Sequence, residues 1–272
     1  MMKVEDKVGF VGGGNMAEAL IKGLVQSGKV KPENMLVFDP DQSRLKYLSQ
    51  TYQVGLAENN ASLVNASRVI LLAVKPEVVD KVLQEIGSIV SDQQLIISIA
   101  AGVPLKRLQA AVAAPCPVIR VMPNTPALTQ SGAAAIARGA LATDEHAAQA
   151  RDIFEAVGLA VEVDEKYMDV VTGLSGSGPA YVFLMLEAMI EGAVRLGLPR
   201  SQAHILAAQT IMGAAKMALS AERHPAELKN MVTSPGGTTA AGLHTLEKGG
   251  FRYLVMEAVA AAARRSAELG RE

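Results

Sequence analysis

From Lys7 the sequence reads Lys7-Val8-Gly9-Phe10-Val11-Gly12-Gly13-Gly14-Asn15-Met16-Ala17: a short β-rich run, a glycine turn, and the first residues of a helix. Apolar residues continue at Ala19, Leu20 and Leu24, with Gly23 between them, on the spacing of a helix face. Gly12, Gly14 and Ala17 fall on the pattern G-x-G-x-x-A. Each position has a physical task. Gly12 permits the tight turn, Gly14 lets the main chain approach a pyrophosphate, and Ala17 is small enough for the helix to pack on its strand. The same spacing occurs in many loops, so its strand-before, helix-after context is what gives it meaning.

That context extends along the chain. A second strand fits Met35-Leu36-Val37-Phe38, and Asp39 ends it 25 residues after Gly14. An acid there either bonds the adenosine ribose of a dinucleotide or serves as a turn residue beside Pro40. Further strands fit Arg68–Val74, Gln94–Ile99 and Val118–Met122, all continuous apolar runs of the kind parallel strands show when both faces are covered. The expected fold is therefore α/β, an N-terminal doubly wound parallel sheet of Rossmann type. In such a sheet the ligand crosses the carboxyl ends of the strands. The turns after them, Ala73-Val74-Lys75-Pro76, Ala100-Ala101-Gly102 and Pro123-Asn124-Thr125-Pro126, should line the cleft. Asn60 either contacts adenosine or belongs to an ordinary Asn-Asn loop. Cys116, between Pro115 and Pro117, reads as a packed thiol, since no histidine lies near it in sequence.

Composition bounds the rest. With 272 residues, half of them hydrophobic, the chain can bury a full core and divide into two domains. A net charge of −1 argues against a nucleic-acid or acidic-membrane partner, which would demand clustered positive charge. One cysteine excludes a disulfide framework, and the four histidines have no paired metal-ligand spacing, so no metal is expected. Charged residues precede the first apolar run and no uncharged run reaches spanning length, so the expectation is a cytoplasmic protein without a membrane segment.

Near Asp164 the pattern changes, and the expected domains are 1–163, dinucleotide-binding, and 164–272, all-α. Helical periodicity runs over Ala180–Leu196, Arg200–Ser220, His224–Met231 and Ala240–Leu269. The abundant alanine and methionine suit close helix packing, and such long small-residue helices are better closed by an intertwined dimer than by a monomer. Two small-residue motifs punctuate this half. Gly173-Leu174-Ser175-Gly176-Ser177-Gly178-Pro179-Ala180-Tyr181 is either a packing seam or the wall of a substrate pocket, with Tyr181 a core residue or a proton donor. Val232-Thr233-Ser234-Pro235-Gly236-Gly237-Thr238-Thr239 is either a helix connection or an anion-binding turn, its N–H groups aided by the dipole of the helix that follows.

The ordered set GGGNMA, AVKP, SIAAG, MPNTP, TGLSGSGPAY and TSPGGTT resembles the pyrroline-5-carboxylate reductases over about Lys7 to Leu269. The resemblance implies reduction of L-1-pyrroline-5-carboxylate to L-proline by NADPH or NADH. It implies a helical dimerisation domain interlocked with its partner and, in many members, five such dimers in a decamer. It also implies site roles. Gly12, Gly13, Gly14, Asn15, Met16 and Ala17, with Ala73–Pro76 and Ala100–Gly102, match the cofactor loops, and Asn60 matches an adenosine contact. Ser234, Gly236, Gly237, Thr238 and Thr239 match the substrate loop, whose N–H groups hold the carboxylate while Thr239 bonds the ring nitrogen. Glu165 and Glu222 match positions near the substrate. Met231 stands where some members have an asparagine. Asp39 departs from members that are neutral or basic there: a carboxylate would repel a 2′-phosphate, yet Ser43 and Arg44 could offset it.

Two other readings differ in testable residues. A β-hydroxyacid dehydrogenase would match G-x-x-G-x-G-x-x-x-K-x-x-N, but Val182 and Met185 occupy the lysine and asparagine places. A non-catalytic sensor of the nicotinamide redox state would keep the glycine turn and have no need of the Ser234–Thr239 loop.

Overall fold

The structure is a computed structural model that describes residues 6–221 and 223–270. Eight strands form one sheet: β1 (Val8–Val11), β2 (Met35–Phe38), β3 (Gly55–Leu56), β4 (Val69–Leu72), β5 (Leu95–Ser98), β6 (Val118–Met122), β7 (Gly132–Arg138) and β8 (Gly158–Glu162). Their spatial order is β3-β2-β1-β4-β5-β6-β7-β8. The first six are parallel and follow the doubly wound order, reversing at β1/β4. Strand β7 then runs antiparallel to β6, and β8 pairs parallel to β7.

The strands read as apolar runs because both faces are covered. Every residue of β1, β4 and β5 is buried. Alternate residues serve opposite cores: Val8, Phe10, Val69 and Leu71 face one, while Val11, Ile70 and Leu72 face the other. On the first side pack α1 (Asn15–Ser27), α2 (Gln42–Tyr52) and α6 (Asp144–Phe154). On the second lie α3 (Asn60–Ala66), α4 (Val79–Ile86), α5 (Leu105–Ala110) and Met168 of α7 (Met168–Val171). Fully burying one Leu, Ile or Phe side chain stabilises by roughly 1.5–3 kcal/mol, so this two-sided core dominates the domain's stability.

The chain divides into two compact units, Met1–Ser177 with Ala261–Glu272, and Gly178–Ala260. The second consists of α8 (Gly178–Arg195), α9 (Arg200–Ser220), α10 (Pro225–Met231), α11 (Thr238–Lys248) and most of α12 (Phe251–Leu269). The helix expected over Ala240–Leu269 is broken. Gly249 and Gly250 interrupt it, and Gly250 takes a left-handed φ of 73° that ordinary helix residues avoid. The end of α12 belongs to the first unit, where Ser266 Oγ donates to Asp169 Oδ1 at 2.7 Å. Among the described residues, no helix is long and apolar enough to cross a membrane.

The Gly173–Pro179 motif is not a plain loop. Thr172–Gly176 forms a π-helical turn that carries α7 into the following segment, and Ser177 N–H donates to Thr172 O at 2.8 Å. Such turns recur at functional sites because they displace the helix face by a residue. Helix α8 starts at Gly178 with Pro179 second, where the missing N–H costs nothing.

Candidate functional site

In the first unit the register aligns Val11 with Phe38 and Leu72, and Leu72 with Ser98. The loops that leave β1, β2, β4 and β5 therefore start side by side at the carboxyl edge. This brings together Gly12–Ala17, Asp39, Ala73–Pro76 and Ala100–Gly102. Gly12 has φ 98°, and a Cβ there would sit 2.7 Å from Ala73 O, so only glycine lets β1 turn this close to β4. Gly14 is the N-cap of α1 with no side-chain cap, and a Cβ built on it would meet nothing within 4 Å. Asn15 is exposed and Met16 partly so, and the first N–H groups of α1 stand uncapped beside that space, as an anion site requires. Ala17 is fully buried against the sheet, which is why a small residue stands there.

Asp39 takes up the turn from the other side. Its Oδ2 accepts from Gly13 N–H at 2.8 Å and its Oδ1 from Asp41 N–H at 2.9 Å. Asn60 begins α3 and is buried. Its Nδ2 donates to Glu85 Oε2 at 2.7 Å, while its Oδ1 has no hydrogen-bond partner among the described residues. A buried polar atom left without a partner is costly, and a ligand hydroxyl would relieve it. The orphaned Asn60 oxygen, the open space over Gly14 and the uncapped α1 N-terminus together fit a dinucleotide. A cleft of about 610 Å³ lies within the same unit, with Pro76, Ala101, Gly102, Thr172, Ser177 and Ser266 among its lining residues.

Other residues turn out to hold the scaffold. Asn124 uses both amide atoms: Nδ2 donates to Ser175 O at 3.0 Å and Oδ1 accepts from Ala133 N–H at 2.8 Å. It ties the loop after β6 to the π-helical turn, a role that its Pro-Asn-Thr-Pro context did not disclose. Glu165 Oε1 accepts from Leu105 N–H and lies 3.4 Å from Arg120 Nη1. The Arg120 side chain is only 7% exposed, so Glu165 supplies a counter-charge to a buried guanidinium. Cys116 is buried, its Sγ donating to Gln94 O, and burial pushes its thiol up to about 11. That thiol is protonated at neutral pH and packs as a small hydrophobe, as expected.

In the second unit Ser234–Thr239 joins α10 to α11. Gly236 has φ 67°, and Gly237 N–H donates to Ser234 O at 3.0 Å. A Cβ on Gly237 would lie 2.3 Å from Ser234 Oγ, so the serine hydroxyl fills the place of a side chain. Gly237 is the N-cap of α11 and gives no side-chain cap, leaving the N–H groups of Thr238 and Thr239 for an outside acceptor. Thr239 is half-buried and its hydroxyl makes no hydrogen bond within the described residues. Tyr181 donates to Ala258 O at 3.3 Å. Glu222 lies outside the described residues.

This unit buries few apolar side chains of its own, with Ile190, Ala203 and Ala207 as its core. It exposes Phe183, Leu184, Ile205, Leu206, Leu254 and Met256, each more than half accessible. An apolar surface of this extent on one chain marks an interface.

Comparison with known proteins accounts for both units. Residues 165–269 match the family model described as pyrroline-5-carboxylate reductase dimerisation, and residues 7–102 match that of coenzyme F420-dependent NADP oxidoreductases. The pyrroline-5-carboxylate reductase of Synechocystis is 48% identical over 266 residues, spanning 98% of this chain and 99% of that protein. The chain belongs to the pyrroline-5-carboxylate reductase family. Solved structures agree. The family member from Coxiella burnetii superposes with a TM-score of 0.93 at 36% identity, covering 97% of this chain and 98% of that one. The Plasmodium falciparum pyrroline carboxylate reductase, solved with NADP bound, gives 0.88 at 34% identity, covering 99% and 100%. The exposed apolar face of the second unit is therefore that of a reductase dimerisation domain.

Proposed function

We infer that this chain reduces L-1-pyrroline-5-carboxylate to L-proline with NADPH or NADH, the last step of proline biosynthesis. The observation that carries the reading is the presence in one family member of two uncapped helix N-termini, each reached through glycines. One follows Gly12–Gly14 and the other follows Gly236–Gly237.

The residues divide the work. Gly12–Ala17, Ala73–Pro76 and Ala100–Gly102 hold the dinucleotide, with Asp39 on the adenosine ribose and Asn60 offering its unpaired oxygen to the same half. The bound nicotinamide supplies the hydride. N–H groups from Ser234 to Thr239 hold the substrate carboxylate, and the Thr239 hydroxyl holds the ring nitrogen. Glu165 and Glu222 match family positions assigned to the substrate, and Glu165 also balances the charge of the buried Arg120 guanidinium. The imine carbon gains the hydride, and the nitrogen keeps the proton with which the substrate enters from solvent. A protonated or hydrogen-bonded imine is a much better hydride acceptor than a neutral one. The chain's tasks are then orientation and electrostatics rather than strong acid–base catalysis.

Dinucleotide binding is assigned to residues 1–163 and dimerisation and substrate binding to 164–272, although 164–177 and the end of α12 pack in the first compact unit. The exposed apolar side chains of the helices support a homodimer with interlocked helices, and five such dimers form a decamer in the cytoplasm. The test is oxidation of NADH and of NADPH, followed separately after addition of pyrroline-5-carboxylate. Substrate-dependent oxidation of at least one is expected. No oxidation of either by protein that binds them would contradict the reading.

A further inference from the structure

The cofactor loop carries a cluster that none of the roles above uses. Glu18 lies in the first turns of α1, directly after the glycine turn. Its carboxylate accepts from Arg44 Nη2 and, at 2.9 Å each, from the hydroxyls of Tyr47 and Tyr52. Arg44 also donates through Nε to Gly13 O and lies over the Tyr47 ring at 5.2 Å. Both members of the pair are about one-fifth exposed. Burial pushes the Glu18 carboxyl up, but the bonds from Arg44, Tyr47 and Tyr52 outweigh it and hold it below the usual carboxylate range. Burial and then Glu18 push the Tyr52 hydroxyl above its ordinary value. The pair is thus a fixed, charged part of the loop.

Beside it the possible phosphate ligands are already engaged. Ser43 Oγ donates to Asp41 Oδ1 at 2.6 Å, and Asp41 caps α2 through Ser43 N–H and Arg44 N–H. Asp39 is fixed on Gly13 N–H and Asp41 N–H. The bonded cluster sets three carboxylates, Asp39, Asp41 and Glu18, against one guanidinium. An acid at the end of β2 suits a ribose 2′-hydroxyl, whereas a 2′-phosphate needs a free arginine.

We propose that Glu18 sets the cofactor choice of this chain: by holding Arg44 on the glycine turn it withholds that guanidinium from a 2′-phosphate, and with Asp39 it makes the enzyme select NADH over NADPH. The proposal rests on the dinucleotide reading of the loop. Glu18 is a positioning residue that acts through Arg44, while Asp39 meets the ribose itself.

Isothermal titration of the full chain with NAD+, NADP+, AMP and 2′,5′-ADP tests it without turnover. The wild type is expected to bind NAD+ at least about tenfold more tightly than NADP+, the size of one charge mismatch at a partly exposed site. Glu18→Gln should tighten NADP+ and 2′,5′-ADP by roughly five- to tenfold and leave NAD+ and AMP within about twofold, since only the freed guanidinium changes. Adding Arg44→Met to that variant should erase the gain, which a merely structural role for Glu18 would not produce. Asp39→Ser offers a second route, reversing the order of NAD+ and NADP+ without disturbing the Glu18 pair. Tighter NADP+ than NAD+ in the wild type would overturn the proposal, as would a Glu18→Gln variant, folded by circular dichroism, with unaltered NADP+ affinity. Failure to bind any of the four ligands would instead strike at the dinucleotide reading.

Discussion

Gly14→Val is expected to weaken NAD+ and NADP+ binding by at least about 100-fold, close to 2.7 kcal/mol, while leaving the melting temperature almost unchanged. The second half of that expectation follows from the backbone. Gly14 has φ −65° and ψ −175°, an extended conformation open to valine, and a Cβ there touches nothing within 4 Å. No atom of the fold opposes the side chain, and the only cost is that valine is a poorer N-cap than glycine. The ligand does oppose it, because the isopropyl group fills the space through which a pyrophosphate reaches the N–H groups of α1. Titration calorimetry and thermal melting of the same sample separate the two effects. Retained affinity would contradict the glycine-turn assignment. A collapse in melting temperature would show that Gly14 serves the fold, as Gly12 does with its left-handed φ and its neighbour at Ala73 O.

Thr239→Ala should lower kcat/KM for pyrroline-5-carboxylate by about 10- to 1000-fold, the range for losing one positioned hydrogen-bonding group at a reacting centre. Stability should not fall. The Thr239 hydroxyl makes no hydrogen bond among the described residues, and alanine is a better helix former in the first turn of α11. Dinucleotide affinity should stay the same, since the change lies in the loop that holds the substrate. Unchanged kinetics would remove Thr239 from the mechanism and leave the carboxylate-binding N–H groups as the whole function of the loop.

Local chemistry made much of this molecule readable in advance. Strands β1, β2, β4, β5 and β6 are short apolar runs ending in small or proline-bearing turns, and each lies within a residue or two of its expected place. Strands β7 and β8, like the two-residue β3, are not legible in local sequence. Their sequences, Gly-Ala-Ala-Ala-Ile-Ala-Arg and Gly-Leu-Ala-Val-Glu, have little β propensity of their own. They become strands through pairing with β6 and with each other, a tertiary cause that no local window contains. The break at Gly249–Gly250 is the reverse case: the glycine pair was visible, but apolar periodicity on both sides carried the helix across it.

The site divides along the same line. Glycine turns announce themselves because their geometry is local, and so the loops at the carboxyl edge could be named from the sequence. Partnerships over long separations could not. Nothing in the sequence joins Glu165 to Arg120, 45 residues earlier, or Asn124 to Ser175. The sequence offers Arg44 as a phosphate ligand, whereas in the structure its guanidinium lies on Glu18, 26 residues away. Charge counting along the chain sees the arginine, whereas only the fold shows that its charge is already spent.

The most direct measurement of the central claim follows the hydride itself. Pyrroline-5-carboxylate is incubated with the enzyme and reduced dinucleotide deuterated at C4 of the nicotinamide, using each of the two C4 epimers in turn, and the product is examined by mass spectrometry. The account predicts proline with a single deuterium on the former imine carbon, from one epimer and not the other. Unlabelled proline from both epimers, or oxidised cofactor without proline, would contradict it.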